Sequence, residues 1–194
     1  MKRAILYVHG KGGSAAEADR LRAICPDFNV LGVDYRGELP WEAAPQIAAA
    51  YDEARRQYDH IILLANSIGA YFAMLALQGR TPDRALFVSP VLDMERLILD
   101  MMGWAGVSEQ ALREQGEIPT DFGEKLSWAY LCYVRRAPSP GESPRRSSMP
   151  EATIWCPARP WSGSRKNTEP ASPSWRAAST GSTRKSSWPF WMAG

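Results

Sequence analysis

Chemistry in this sequence centres on a serine held between an apolar run and a run of small residues: Ile61-Ile62-Leu63-Leu64-Ala65-Asn66-Ser67-Ile68-Gly69-Ala70-Tyr71. A hydroxyl raised at a sharp strand-to-helix turn can attack an acyl carbon. The amide of the next residue, Ile68, then opens a helix, where negative charge is favoured. Such a turn needs small residues two before and two after the serine, because strand and helix nearly touch there. Here Gly69 supplies one, and Ala65 stands where a glycine is usual. The same serine also reads as a plain helix N-cap. From this stretch alone both readings stand.

A second stretch bears on the choice. Ala4-Ile5-Leu6-Tyr7-Val8 reads as a buried strand and runs straight into His9-Gly10-Lys11-Gly12-Gly13-Ser14. A glycine-rich turn after an early strand can aim backbone N–H groups at a developing oxyanion. A phosphate loop is the rival, but the G-x-x-x-x-G-K-[ST] spacing fails because Lys11 precedes both later glycines. The pairing of the two stretches resembles the α/β-hydrolase family, in which a glycine loop and a nucleophile elbow face each other above a parallel sheet. Carried over by position, the resemblance implies Ser67 as nucleophile and the amides of Lys11 and Ile68 as the oxyanion hole. It implies no metal and no cofactor.

The elements that must hold these residues follow in order. Ala15 to Ile24 has helical spacing with a Pro26 stop, and Asn29 to Asp34 reads as a strand ended by Tyr35-Arg36-Gly37. Trp41 to Tyr58 carries a helical stripe of Ile47, Tyr51, Ala54 and Tyr58. The elbow strand and its helix follow, then Ala85 to Ser89 as a fourth strand. These strands are continuous apolar runs with helices between them, which predicts an α/β fold with a parallel sheet covered on both faces. From Pro90 to Val134 the pattern is mainly helical, with one stripe through Val91, Met94, Leu97, Ile98, Met101 and Met102 and a second over Leu126 to Val134. In the family this region forms a cap, so Met101, Met102 and Trp104 are candidates for an apolar acyl site. Such a stripe is more often simply core.

A serine nucleophile needs a base, nearly always histidine, oriented by a carboxylate. The chain has two histidines. His9 belongs to the glycine loop, and His60 precedes the elbow strand, so it lies at the far end of the sheet, about 20 Å from Ser67. Neither reaches. From Arg136 onward there is no leucine, valine, aspartate, tyrosine or histidine, and Ile154 is the one aliphatic residue larger than alanine. Five of the eight tryptophans nevertheless fall there, which is unlike a disordered segment.

That composition reads as coding sequence in the wrong frame. Joining the last base of each codon to the first two of the next forces Ala from Trp188/Pro189, Leu from Phe190/Trp191, Asp from Trp191/Met192 and Gly from Met192/Ala193. With permitted codons, Ala177 to Gly194 becomes G-E-H-W-F-H-T-E-E-Q-M-A-I-L-D-G-W, similar to the histidine loop and last helix of a small α/β-hydrolase. Ser147 to Cys156 likewise permits a strand end and an acid-bearing loop. The expectation is a hydrolase core over 1–135, with a cap-like segment at about 90–135, and an out-of-frame tail over 136–194. The tail should be disordered, the C-terminal strands and helix missing, and the Ala85–Ser89 strand left as an unpaired edge.

Composition sets the remaining bounds. The chain has 194 residues and a formal charge of +2, too small to argue for nucleic acid or an anionic membrane. The basic residues of the tail follow no helix face. No apolar run approaches the roughly 20 residues of a membrane span, and no signal peptide is visible. Cys25, Cys132 and Cys156 share no metal or redox spacing, so a reduced, cytoplasmic protein is expected. The expected partner is a small-molecule ester or amide. A catalytically inactive remnant is the alternative for the chain as it stands.

Overall fold

The computed structural model describes residues 1–137 and the short strand at 152–155. Four strands of one sheet come from the apolar runs: β1 (Arg3–Val8), β2 (Asn29–Gly32), β3 (His60–Asn66) and β4 (Arg84–Val88). Between them lie α1 (Ala18–Ile24), entered through a 3-10 turn, then α2 (Pro40–Gln57) and α3 (Ile68–Ala76). All strand pairs in this sheet are parallel. The fold is α/β, with a parallel sheet flanked by helices.

Alternation along the strands assigns the two faces. Leu6, Val8, Ile61, Leu63 and Ala65 pack with Ile47, Tyr51 and Ala54 of α2 and Tyr71 and Phe72 of α3. Ile5, Tyr7 and Val30 point the other way and pack with Ala18, Leu21 and Phe28 around α1. Connection handedness explains the division. The order β2-β1-β3-β4 sends the chain one way from β1 to β2 and the other way ever after. Right-handed crossovers then place α1 on one face and the later helices on the opposite one. The strand order reverses between β1 and β3, and in open α/β sheets ligands bind beyond the C-terminal ends of the strands at such a point.

The segment beyond β4 is less helical than its stripes predict. It holds α4 (Met94–Ala105) and α5 (Glu109–Gln115), then a hairpin of β5 (Glu117–Pro119) and β6 (Lys125–Ser127), and finally α6 (Trp128–Arg136). Gly116 and Gly123, both at positive φ, stop α5 and turn the hairpin. Thr120 closes that turn, its N–H donating to the Glu124 carbonyl at 2.8 Å. The second stripe is therefore split, with Leu126 on β6 and Leu131 on α6, both buried. Met102 is buried with Ile98 in the main core, whereas Trp104 is 46% exposed and meets Phe122 edge to face at 6.4 Å.

One expectation fails outright. The edge of β4 is not unpaired: β7 (Ala152–Trp155) lies parallel to it, from Ala85 opposite Ala152 to Val88 opposite Trp155. The tail thus supplies one C-terminal strand that the composition argued against. Thr153, Ile154 and Trp155 are residue types that favour extended backbone, and four residues suffice to pair with an open edge. Neither helical nor alternating periodicity can register so short a run. The remaining expectations for 138–151 and 156–194, including disorder and the missing last helix, lie outside the described residues.

Candidate active site

Ser67 sits where β3 ends and α3 begins, with φ 52° and ψ −124°. That backbone region is sparsely populated for any residue with a side chain and costs on the order of 1–3 kcal/mol. An N-cap is normally extended, with its side chain accepting an amide from the first turn. Asp93, Ser108 and Ser127 do this for α4, α5 and α6, accepting from Arg96, Ala111 and Tyr130 respectively. Ser67 makes no such bond. Its geometry is that of a strained turn that lifts the side chain out of the helix start.

Close packing keeps the turn in place. A Cβ on Gly69 would lie 2.0 Å from the His9 carbonyl oxygen, so only glycine lets α3 pass the end of β1. A Cβ on Gly10 would come 3.2 Å from the Ser67 Cβ and 3.3 Å from the Asn66 carbonyl. The glycine loop and the turn at Ser67 therefore approach closely at Gly10, the residue before Lys11. Main-chain bonds clamp the serine from the other side. Its N–H donates to the Val88 carbonyl at 2.9 Å, and its own carbonyl accepts from Val91 at 3.2 Å.

Several side chains hold the loop. Tyr35 stacks on His9 with ring centroids 4.2 Å apart, and its hydroxyl donates to the His9 carbonyl at 2.8 Å. Burial, then the nearby Glu17 charge, pushes the Tyr35 phenol up to about 12, so it stays a donor near neutrality. Glu17 accepts from the Ser14 amide at 3.2 Å and from the Tyr7 hydroxyl. Burial and that carboxylate both push Tyr7 upward as well. Lys11 points outward and pairs through its Nζ with Glu124 in the hairpin turn. Its amide and that of Ile68 have no acceptor among the described residues.

Neither histidine serves Ser67. His9 is buried, and its Nδ1 lies 2.8 Å from the Gly10 carbonyl. His60 stands at the opposite end of β3, opposite Arg3, with its Nδ1 3.5 Å from Asp83. Among the described residues no group of three acidic, histidine or cysteine side chains could hold a metal, and no helix is long and apolar enough to cross a membrane. Cys25 and Cys132 are free thiols, while Cys156 lies outside the described residues.

Sequence reasoning missed the residues that hold the loop. Tyr35 stood in the sequence only at the end of a strand, and nothing there marked Glu17 or Glu124 as partners of the loop.

No family model matches the chain, and no curated protein matches it. Among solved structures it is similar to the crystal structure of a sugar hydrolase (YeeB) from Lactococcus lactis, at 19% identity and a TM-score of 0.40, over 48% of this chain and 46% of that one. The match spans about half the length of that protein.

Proposed function

We propose that this chain is the core of a serine hydrolase of the α/β-hydrolase fold, acting on a small carboxylic ester or amide through an acyl-enzyme. The carrying observation is the left-handed Ser67 between β3 and α3, with Gly10 and Gly69 packed against it and no capping bond. In this reading Ser67 Oγ attacks the carbonyl carbon and gives its proton to a general base. The amides of Lys11 and Ile68 receive the oxyanion, and the leaving group departs protonated. Water then releases the acid. No cofactor is called for.

The base and its carboxylate are the missing parts. Both described histidines are committed elsewhere, which favours a second reading for the chain as it stands: an inactive remnant that binds ligands beyond the C-terminal ends of the strands without turning them over. The two readings join if the segment after Arg135 is out of frame, because the other frame permits a histidine loop. Sequencing the nucleotides around codon 135 tests that directly.

A fluorophosphonate tests the nucleophile. The 194-residue chain should label slowly, and concentrated imidazole, supplying the absent base, should speed the reaction. Intact mass should show one adduct, lost in Ser67→Ala. Equal labelling of Ser67→Ala would place the nucleophile elsewhere. Brisk turnover of a p-nitrophenyl ester without imidazole would overturn the inactive reading.

A further inference from the structure

Among the described residues two that are not glycine have positive φ: Ser67 at 52° and Ser89 at 45°. They are neighbours. β3 and β4 run parallel with Asn66 opposite Val88, so the next residue of each strand leaves the sheet at the same level. Adjacent strands lie about 5 Å apart, so the two chains leave the sheet side by side. The residues flanking Ser89 also hold the elbow, since the Val88 carbonyl accepts from Ser67 and the Val91 amide donates to it.

Ser89 is costly where it stands. Left-handed backbone is unfavourable for a residue with a Cβ, and Ser89 precedes Pro90, which disfavours helical conformations and pushes its predecessor to extended ones. Elsewhere the described chain turns through positive φ on glycine, at Gly12, Gly37, Gly79, Gly106, Gly116 and Gly123. A glycine would make the Ser89 turn without strain. What serine adds is a side chain, and that residue is exposed at the C-terminal edge of the sheet. Its hydroxyl, like that of Ser67, has no partner among the described residues.

We propose that Ser89 is a substrate-binding residue of the Ser67 site, its hydroxyl hydrogen-bonding an ether or hydroxyl oxygen carried close to the reacting carbonyl. The proposal rests on Ser67 as nucleophile and adds a substrate class to it: oxygen-substituted acyl esters over plain alkyl ones. A hydroxyl both donates and accepts, so it suits a neutral oxygen. The strand spacing places it within reach of an atom two or three bonds from the carbonyl carbon. A strained residue kept beside a reactive one is also where backbone outliers concentrate for functional reasons.

The test uses the full chain in concentrated imidazole and two alkyl fluorophosphonates, one with an ether oxygen near phosphorus and one without. Labelling rates are read by intact mass for the wild-type chain, Ser89→Ala, Ser89→Gly and Ser67→Ala. The wild-type chain should prefer the ether probe by about 3- to 10-fold, the worth of one hydrogen bond. Both Ser89 substitutions should erase that preference, bringing the ether-to-alkyl ratio to about one. Ser89→Gly should in addition raise the thermal midpoint, as the turn loses its strain. An ether-to-alkyl ratio equal in the wild-type chain and Ser89→Ala overturns the role of Ser89 alone. Labelling no faster in the wild-type chain than in Ser67→Ala overturns the nucleophile, and the role of Ser89 with it.

Discussion

The two ends of this sheet are built from the same strands and treat polar groups in opposite ways. At the N-terminal end they are paired in a closed set. The Lys2 amide donates to Asp59 at 2.7 Å, and the amides of Asp59 and His60 both donate to the Lys2 carbonyl. Asp83 accepts from the Ile61 amide at 2.7 Å and from Arg55 at 3.1 Å, with His60 beside it. At the C-terminal end two serines are strained, two amides lack acceptors among the described residues, and glycines make room for close backbone contact. One end ties the strands together, and the other presents groups outward. The same residue type follows this division: His60 takes part in a structural ion cluster, and His9 braces the loop that carries the candidate oxyanion amides. A parallel sheet permits such a separation because its strands all end on one edge, about 20 Å from where they begin.

The largest test of the contrast is Gly69→Ala. Its new methyl would meet the His9 carbonyl oxygen at 2.0 Å, a backbone atom that cannot swing aside. Destabilisation of about 3 kcal/mol or more is expected, because the clash must be relieved by separating α3 from β1. Urea denaturation measures it. A loss under about 1 kcal/mol would mean that the elbow is looser than the packing requires.

Next comes Asp83→Asn at the opposite end. Burial alone would raise the Asp83 pKa, but the Ile61 amide, Arg55 and His60 outweigh it and hold the carboxyl below its usual value. A carboxyl that gives up its proton more readily when folded adds stability in full above its unfolded pKa near about 4. That contribution is lost as the pH falls through the lower folded value. The substitution should therefore cost about 1–2 kcal/mol near neutrality and little in acid, because only the ionised form makes the stronger bonds. Urea midpoints at about pH 7 and about pH 3 give the comparison, and an equal cost at both would detach Asp83 from the acid response.

The smallest effect sharpens the contrast at a single residue type. Ser67→Gly removes a side chain from strained backbone and loses no cap, so it should stabilise the chain by about 1 kcal/mol. Ser127→Ala removes an ordinary cap, and should destabilise by about as much. Thermal midpoints should thus move in opposite directions. If Ser67→Gly destabilised as a cap loss does, the strained geometry would be wrong.

Much of this arrangement was legible without coordinates. Continuous apolar runs separated by helical spacing marked four parallel strands, because a sheet covered on both faces leaves little room for polar side chains on either. Strand polarity alone put His60 out of reach of Ser67. The small residue at Gly69 followed from the need for strand and helix to pass closely. The hairpin at Glu117–Ser127 was not legible, since its strands have three residues each and an apolar stripe runs on past it. Nor was β7, whose four residues carry no period.

The sequence by itself determined the sheet, the turn at Ser67 and the absence of a reachable histidine, because these depend on local composition and on distance along the chain. Only the tertiary structure gave Ser67 its positive φ and left its side chain without a capping bond, since a cap and a sharp turn share a sequence and differ in φ, ψ and one hydrogen bond. It alone brought Gly10 against Ser67 and joined Lys11 to Glu124 across 113 residues. It alone set Ser89 level with Ser67, through the register of β3 on β4. Contacts of this kind arise from strand order and crossover direction, and residues far apart in the chain carry no mark of being neighbours until the sheet has formed.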